Sequence, residues 1–174
     1  IEQHGGVATV WMNRPDKHNA FDETLISELT RSVLALGVDH GVRVVVLAGR
    51  GRSFSAGADL DWMRRAAHYG YDQNLSDARA LAAMLRAIAE IHKPTVARVH
   101  GAALGGGMGL VAACDIAIAS SNAVFATSEV RFGLIPATIG PYVLRAIGAR
   151  QAGRYFQTAE RIDAATAKRI GLVH

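Results

Sequence analysis

The sequence contains few cysteine, proline and aromatic residues, and it has no long apolar run. Its one cysteine, Cys114, cannot form an internal disulfide. The apolar neighbours of this residue predict a buried thiol in a reducing compartment, so we expect a cytoplasmic protein. No apolar run approaches the roughly 20 residues that cross a bilayer, and no charged-then-apolar leader precedes the fold. We therefore expect no membrane partner.

The charges are scattered along the chain, and this pattern argues against a nucleic-acid surface. The chain has 19 basic and 15 acidic residues, a net charge of +4, and 6% aromatic residues. A nucleic-acid surface gathers basic residues and aromatic side chains on one stretch. We expect no nucleic-acid partner, whereas an anionic small molecule would suit the slight positive charge.

The length and the apolar content are those of one domain with a sizeable core, which we assign to residues 1–174. Ile1 is not an initiator methionine, and the chain stops at His174, just after a helix-like segment. From these two ends we expect a core excised from a longer protein.

Apolar periodicity predicts strands and helices that alternate along the chain. The predicted strands are Val7–Met12, Val42–Ala48, Thr95–Val99, Asp115–Ala119 and Val124–Ala126. The predicted helices are 23–38 with Asp22 as N-cap, 60–66, 75–91, the small-residue helix Met108–Ala113, 139–147, 151–157 and a last one from Asp163, as N-cap, to Ile170. This alternation predicts a layered α/β domain with much parallel pairing.

The densest cluster of glycines lies in Arg98–Asp115 (RVHGAALGGGMGLVAACD), where a strand-like run breaks and a small-residue helix follows. Each glycine inside an element costs roughly 0.5–1 kcal/mol relative to alanine, so such density needs a reason. One reason is a tight turn in a crowded core, and another is backbone that a ligand approaches closely. In the second case, unpaired N–H groups at the start of the helix would face a developing negative charge.

Several common catalytic and binding motifs are absent. Phe54 stands where a dinucleotide fingerprint that starts at Gly49 needs its third glycine, and no phosphate loop ends in Gly-Lys-Ser/Thr. Ser53 and Ser55 each lack a glycine on one side, so neither forms a nucleophile elbow. The seven histidines are dispersed and form no zinc motif, so we expect no bound metal.

Two small-residue loops and one carboxylate remain as candidates for a site. An N–H group from the loop 49–59 and another from the glycine cluster could converge on one carbonyl oxygen as an oxyanion hole. Glu129 follows three small residues, where partial burial could raise its pKa toward that of a proton donor and acceptor. A salt bridge to Arg131 or a helix start is the other interpretation of Glu129.

Three segments, in this order, carry a family resemblance: SFSAGADLDWM, GAALGGGMGLVAACDIAIA and FATSEVRFGLIP. Together they resemble the enoyl-CoA hydratase/isomerase (crotonase) superfamily, from Val7 to the C-terminus. Within it the chain looks most like bacterial hydratases of branched substrates, such as methylglutaconyl-CoA and isohexenylglutaconyl-CoA hydratases. The resemblance implies a spiral of ββα units with a truncated C-terminal helical segment. It also implies a thioester substrate bound as a coenzyme A ester, with no further cofactor.

The resemblance gives roles to particular residues of this sequence. Ala58 and Gly106 match the positions whose N–H groups form the oxyanion hole, and Glu129 matches the second catalytic glutamate of the family. The family's chain passes the pantetheine and adenine of coenzyme A at positions that match Ala20, Ala56, Asp59 and Leu60.

One position departs from the family pattern. The first catalytic glutamate of the family matches position 109, where this sequence has glycine. We count Gly109 with the substrate-binding residues. Hydration would then need Glu129 alone, or a tyrosine, a threonine or a water in the vacated space. Isomerases of the family can work with one glutamate, so an isomerase is the alternative function. We favour hydration in branched-chain or fatty acyl-CoA breakdown, because the close look-alikes are hydratases.

Other classes of function are a non-catalytic acyl-CoA-binding or RNA-binding member of the fold, and a spiral-fold protease. Retention of both oxyanion positions and of Glu129 argues against pure binding, and the scattered arginines argue against RNA. No serine has the setting that a protease requires. The resemblance also implies assembly as homotrimers or dimers of trimers.

Overall fold

The chain alternates between strands and helices along its whole length. The strands are β1 (Glu2–His4), β2 (Val7–Met12), β3 (Val44–Gly49), β4 (Thr95–Val99), β5 (Ala102–Leu104), β6 (Ile116–Ala119), β7 (Val124–Ala126) and β8 (Ile162–Asp163). The α-helices are α1 (Glu23–Val38), α2 (Leu60–Ala66), α3 (Tyr71–Glu90), α4 (Gly106–Ala113), α5 (Gly140–Thr158) and α6 (Ala164–Arg169). Short 3-10 helices cover Pro15–Lys17 and Glu129–Phe132. The computed structural model describes residues 1–174.

Five strands form the larger sheet, in the order β1-β2-β3-β4-β6. β1 pairs antiparallel with β2, and each of the other neighbouring pairs is parallel. The predicted α/β architecture with much parallel pairing is therefore confirmed. β3 bonds to β2 and β4, so the most apolar strand lies in the middle of the sheet, as its composition predicts.

The apolar run Val42–Ala48 predicts a strand in a sheet that is covered on both faces, but the two faces of this sheet differ. One face is buried and carries Val10, Val45 and Ala97. The opposite face is only partly covered, because Val44 and Val46 are half-buried and Arg98 on the neighbouring strand is exposed. The run of valines in β3 thus reflects β-propensity as well as burial.

A second sheet has three strands, in the order β5-β7-β8. Its strand β5 lies within the glycine-rich segment Arg98–Asp115. β5 is parallel to β7, and β8 is antiparallel to β7. The periodicity did not predict β5, because its three residues lie between Gly101 and Gly105 and are too few to show alternation. β5 is nevertheless the strand that delivers the chain to the start of α4.

Helix ends follow the capping residues that the sequence predicted. Asp22 accepts a hydrogen bond from the Leu25 amide at 2.9 Å, and Asp163 accepts one from the Thr166 amide at 2.7 Å. The two helices predicted over 139–147 and 151–157 are the halves of α5, which breaks at Gly148 with a φ of 74°. α3 begins at Tyr71, one turn before its predicted start.

α4 runs through the middle of the core. Met108 and Leu110 are completely buried, and seven of the eight α4 residues are buried. Cys114, at the end of this helix, is buried and forms no disulfide, as predicted. Burial raises the pKa of its thiol to about 12, so the thiol stays protonated. No helix of the chain has both the length and the apolar content needed to cross a bilayer.

Candidate active site

The first loop of the site connects β3 to α2 and is held by buried polar side chains. Asn19 is completely buried; its side-chain amide donates to the carbonyls of Arg50 and Ser53, both at 2.8 Å. The Ser55 hydroxyl donates to the Asn19 carbonyl at 2.9 Å. Asp59 caps α2 by accepting from the amide of Asp61 at 2.8 Å. These bonds fix the loop at both of its ends.

Phe21 makes a one-residue parallel bridge with Ala58 in the middle of this loop. The Phe21 amide donates to the Gly57 carbonyl at 2.7 Å, and the Asp59 amide donates to the Phe21 carbonyl at 2.9 Å. Backbone groups of successive residues in extended chain point to opposite sides. The Ala58 N–H therefore points away from Phe21, and it has no acceptor among the protein's hydrogen bonds.

The second loop connects β5 to α4 and is held by backbone bonds alone. The Gly105 amide donates to the Ala126 carbonyl at 2.7 Å, and Gly105 has a φ of 50°. Gly106 is the first residue of α4, so its N–H belongs to the amides that a helix leaves without an internal partner. This N–H also has no acceptor in the chain. It lies at the positive end of the helix dipole.

The two loops touch each other through their backbones. The Ser55 amide donates to the Ala102 carbonyl at 3.0 Å, and the Leu104 amide donates to the Ser55 carbonyl at 2.9 Å. A Cβ added at Gly57 would lie 2.6 Å from the Leu104 oxygen and 3.3 Å from the Gly106 nitrogen. Glycine is thus required by close approach of one backbone to another. The unbonded amides of Ala58 and Gly106 come from these two adjoining loops.

Phe21 also contacts the second loop directly. A Cβ added at Gly106 would lie 2.5 Å from Cε2 of the Phe21 ring, which is 1% exposed. The backbone of Phe21 is bonded to the first loop, and its ring packs against the second. One residue therefore sets the separation of the two loops.

Glu129 opens a 3-10 helix beside the second loop. A Cβ added at Gly105 would lie 3.4 Å from its Oε1, and its Oε2 is buried with no hydrogen-bond partner. Burial raises the pKa of Glu129 above the usual 4.5, although the amides of Glu129 and Ser128 act in the opposite direction. The predicted rise in pKa is confirmed.

The salt-bridge interpretation of Glu129 is wrong, while the helix-start interpretation holds in part. Arg131 donates to the Ala159 carbonyl at 3.2 Å and forms no ion pair with Glu129. The chain turns into a single 3-10 turn at Glu129, and one oxygen of its carboxylate, Oε2, is buried. A buried carboxylate without a counter-charge is typical of a proton-transfer group.

The space beside Gly109 is filled by Ile139. A Cβ at Gly109 would lie 2.2 Å from the Ile139 Cγ2 and 2.7 Å from the Ile139 Cβ. Ile139 is 1% exposed and precedes α5. An apolar side chain, and not a tyrosine, a threonine or a water, therefore lies beside Gly109, while the other option, Glu129 acting alone, stays a prediction. Nothing in the sequence spacing identifies Ile139, since it lies 30 residues from Gly109 along the chain.

The residues predicted to pass coenzyme A lie around the first loop, at different depths. Ala20 and Asp59 are buried, at 7% and 5% exposure, and Ala56 is half-buried. Leu60 is 58% exposed and opens α2 on the surface. Ala20 and Asp59 are joined by the side chain of Arg14, a residue that no motif in the sequence singles out. Gly109 lies apart from this group, in the core helix α4.

No cluster of three or more histidine, cysteine, aspartate or glutamate residues is arranged to hold a metal ion. The groups at the two loops that have no partner within the chain are the amides of Ala58 and Gly106 and the Oε2 of Glu129.

Comparison with known proteins gives one family. Residues 2–174 match the family described as Enoyl-CoA hydratase/isomerase. A crotonyl-CoA hydratase of Syntrophomonas wolfei is 37% identical over all of this chain and 66% of its own length. An enoyl-CoA hydratase of Alternaria alternata is 34% identical over all of this chain and 56% of its own length.

A solved structure agrees closely with the fold. The crystal structure of an enoyl-CoA hydratase from Shewanella pealeana superposes with a TM-score of 0.97 at 47% identity, covering 99% of this chain and 65% of the other. The chain thus spans between about half and two thirds of the length of these proteins.

Proposed function

This chain belongs to the enoyl-CoA hydratase/isomerase (crotonase) family, and we propose that its candidate site is that of an enoyl-CoA hydratase. One observation carries the proposal: two adjoining loops present N–H groups without acceptors, from Ala58 and Gly106, beside the half-buried carboxylate of Glu129, whose Oε2 is buried and has no hydrogen-bond partner. The chain has the crotonase fold of the family, with TM-scores up to 0.97 to its structures.

The two amides act on the thioester carbonyl of the substrate. Addition to a 2-enoyl thioester places negative charge on that oxygen, and amides aimed at it stabilise the enolate. Removal of one such donor from an enzyme costs about 2.7–4 kcal/mol of transition-state stabilisation. Both amides belong to half-buried residues, so a thioester oxygen can reach them. The dipole of α4 adds to the effect at Gly106.

Glu129 moves the proton in this mechanism. A water held by the carboxylate forms its new C–O bond at the β-carbon of the enoyl group, and Glu129 accepts the proton that the water loses. The same carboxyl group then protonates the α-carbon of the enolate, which restores the carboxylate. Its raised pKa suits both steps, because such a group gains and loses a proton near neutral pH more readily than an ordinary glutamate.

The alternative is an isomerase, and the wall formed by Ile139 favours it. With Ile139 against Gly109, no second carboxylate faces Glu129 from position 109. One carboxyl group suffices to remove a proton from one carbon and return it to another. We retain hydration as the first proposal because curated relatives with 33–37% identity bear hydratase names.

The remaining assignments complete the proposal. Ala20, Ala56, Asp59 and Leu60 pass the coenzyme A portion of the substrate, and Gly109 with its Ile139 wall borders the acyl group. The substrate class is a branched or fatty acyl-CoA, and no cofactor is needed beyond the coenzyme A of the substrate. The full-length protein assembles as a trimer or a dimer of trimers in the cytoplasm, where a buried free thiol is stable.

Product mass separates the two reactions directly. The full-length protein is incubated with a panel of linear and branched enoyl-CoA esters, and the products are identified by mass spectrometry. Hydration adds the mass of one water, whereas isomerisation leaves the mass unchanged and moves the double bond. Acyl-CoA binding without any product on the panel would contradict the proposed function and identify a binding member of the fold.

The Glu129→Gln variant tests the proton-transfer role. We expect its turnover to fall by about 10²–10⁴-fold, the usual contribution of a general acid–base group, while acyl-CoA binding remains. Glu160→Gln is the matched control, because Glu160 is an exposed carboxylate paired with Arg154 far along the chain. Turnover near that of the wild type in Glu129→Gln would rule out the mechanism.

A further inference from the structure

Arg14 makes contacts that the proposed reaction does not use. It lies in the turn after β2, and its side chain is 29% exposed. One guanidinium nitrogen donates to the Ala20 carbonyl at 2.6 Å. The other lies 3.1 Å from a carboxylate oxygen of Asp22 and 3.1 Å from one of Asp59. A single side chain thus connects three separate points around the first loop.

These points flank the Phe21–Ala58 bridge on both of its strands. Ala20 directly precedes Phe21, and Asp59 directly follows Ala58. Arg14 holds the first of these residues through its carbonyl and the second through its carboxylate. The Ala58 N–H shares a peptide plane with the Gly57 carbonyl, so its rotation removes that carbonyl from the Phe21 amide. The bond from the Asp59 amide to the Phe21 carbonyl holds the next peptide plane, and the clamp on both sides opposes movement of the two planes.

Asp59 is the stronger of the two carboxylate anchors. It is 5% exposed, and its other oxygen accepts from the amides of Asp61 and Trp62 at the start of α2. Burial alone would raise its pKa, but these amide bonds and the nearby charge of Arg14 hold the pKa of Asp59 below its ordinary value. Asp59 is therefore ionised, and its carboxylate is shared between the helix cap and Arg14.

The planar guanidinium suits this arrangement better than an ammonium group. Its fixed fork of donors reaches a carbonyl in one direction and two carboxylates in another, whereas lysine is a point charge. The contacts of Arg14 therefore require arginine in particular, and a lysine would satisfy only part of them.

We propose that Arg14 is a positioning residue, which fixes the direction of the Ala58 N–H by clamping Ala20 and Asp59 on either side of the Phe21–Ala58 bridge. The inference rests on the proposed function, in which that N–H binds the thioester oxygen. This role needs no contact between Arg14 and the substrate. Arg14 acts through the backbone of the first loop.

The chain offers a matched control in Arg65. Its guanidinium pairs with Glu23 at 2.7 Å and so also joins α2 to the start of α1. Both partners are about half exposed, at 49% and 54%, and neither contacts the bridge. Replacement of Arg65 removes an arginine and an ion pair between the same two helices, without changing the clamp.

The test uses the full-length protein and its Arg14→Met, Arg14→Lys and Arg65→Met variants. Steady-state kinetics are measured with the enoyl-CoA ester that the wild type turns over fastest. We expect kcat of Arg14→Met to fall by about 10–10²-fold, the effect of a displaced catalytic group, with a KM change of less than about threefold. The kcat of Arg14→Lys should lie between those of Arg14→Met and the wild type, and the kcat of Arg65→Met should equal that of the wild type.

A second readout measures the carbonyl directly. Butyryl-CoA with ¹³C at the thioester carbonyl is bound to each protein, and the carbonyl stretch is recorded by isotope-edited infrared spectroscopy. An oxyanion hole lowers this frequency in the wild type, and Arg14→Met should return it toward the value of the free thioester. A merely structural role of Arg14 would leave the band in place.

The outcomes separate the two proposals. A wild-type band at the position of free butyryl-CoA would overturn the proposed oxyanion hole and with it this inference. If the carbonyl frequency is lowered equally in wild type and Arg14→Met, and kcat is unchanged, the role of Arg14 is overturned while the proposed oxyanion hole stands. If Arg14→Met does not fold, Asp59→Asn tests the same clamp, since asparagine keeps the cap acceptor and loses the charge partner of Arg14.

Discussion

The two loops of the site are built in different ways. The first loop is held from outside by side chains that lie far away in sequence, chiefly Arg14 and Asn19. The second loop is held from inside, by backbone bonds and by glycines whose missing side chains let Ser55 and Phe21 approach. Substitution of residues that are distant in sequence should therefore disturb the first loop. The second loop should be disturbed only by substitutions within that loop or in the residues that pack against it.

Gly109→Glu is expected to have the largest effect on the free energy of unfolding. The new side chain would meet Ile139 at 2.2 Å and bury a charge in α4, so we expect a loss of more than about 3 kcal/mol, as overpacking and charge burial combine. Urea unfolding measures the change. The double variant Gly109→Glu/Ile139→Gly should lose less free energy of unfolding than the two single variants lose together. If the two losses simply add, the two residues do not compete for space.

Asn19→Ala tests whether the first loop depends on its remote anchor. The substitution leaves the carbonyls of Arg50 and Ser53 and the Arg14 amide without their partner, so we expect a loss of about 2–3 kcal/mol. Asn122→Ala is the control, because Asn122 bonds only to Ser120 on the exposed surface. Equal unfolding midpoints for these two variants would show that the loop does not depend on Asn19.

Glu129→Gln should stabilise the protein, in contrast to the previous two variants. The pKa of Glu129 is raised in the folded state, so the folded protein binds more protons than the unfolded chain between the usual 4.5 and that raised value. Stability of the wild type therefore falls as pH rises through this window. We expect the melting temperature of the variant to be about 1–3 °C above that of the wild type at pH 7. Below the usual pKa of glutamate, the two melting temperatures should be equal.

The same proton governs the rate. If Glu129 accepts a proton from water, turnover of the wild type should fall as pH decreases through the raised pKa, at a pH above the usual 4.5. A rate that stays constant down to that value would contradict the role of the carboxylate as a base.

Gly153→Ala is expected to have the smallest effect. Gly153 lies in the second half of α5, where an added Cβ meets nothing within 4 Å. Alanine should stabilise this helix by about 0.5–1 kcal/mol, the difference in helix propensity. A destabilisation in the same urea experiment would show that glycine is needed in this chain for reasons other than close approach.

Much of the fold follows from local signals in the sequence. The Asp22 and Asp163 caps, the valine-rich β3 and the separation of helices 139–147 and 151–157 are each determined by a few neighbouring residues, and each prediction is confirmed. β5 was missed because a three-residue strand depends on its pairing partner β7 more than on its own pattern. The open face of the sheet was missed because valine favours strands on either face.

The candidate site is predicted less completely, since its geometry depends on contacts between distant segments. Glycine density reflects close approach of protein groups, as the interpretation of a tight turn in a crowded core predicted, while approach by a ligand stays a prediction. The small residues before Glu129 indicated its partial burial. Ile139 and Arg14 could not be selected, because an apolar residue before a helix and an arginine in a turn are common and carry no motif. The roles of Ala58, Gly106 and the coenzyme A contacts came from the family resemblance, and the experiments above test them.

The contact between Gly109 and Ile139 also constrains the order in which this site could change over time. A second carboxylate at position 109 is excluded while isoleucine stands at 139, because the two side chains would overlap. A smaller residue at 139 would have to come first, and it would leave a cavity in the core without any catalytic gain. Under the proposed function, a path from one carboxylate to two would thus begin with an unfavourable step, which would help to keep a lineage at one carboxylate.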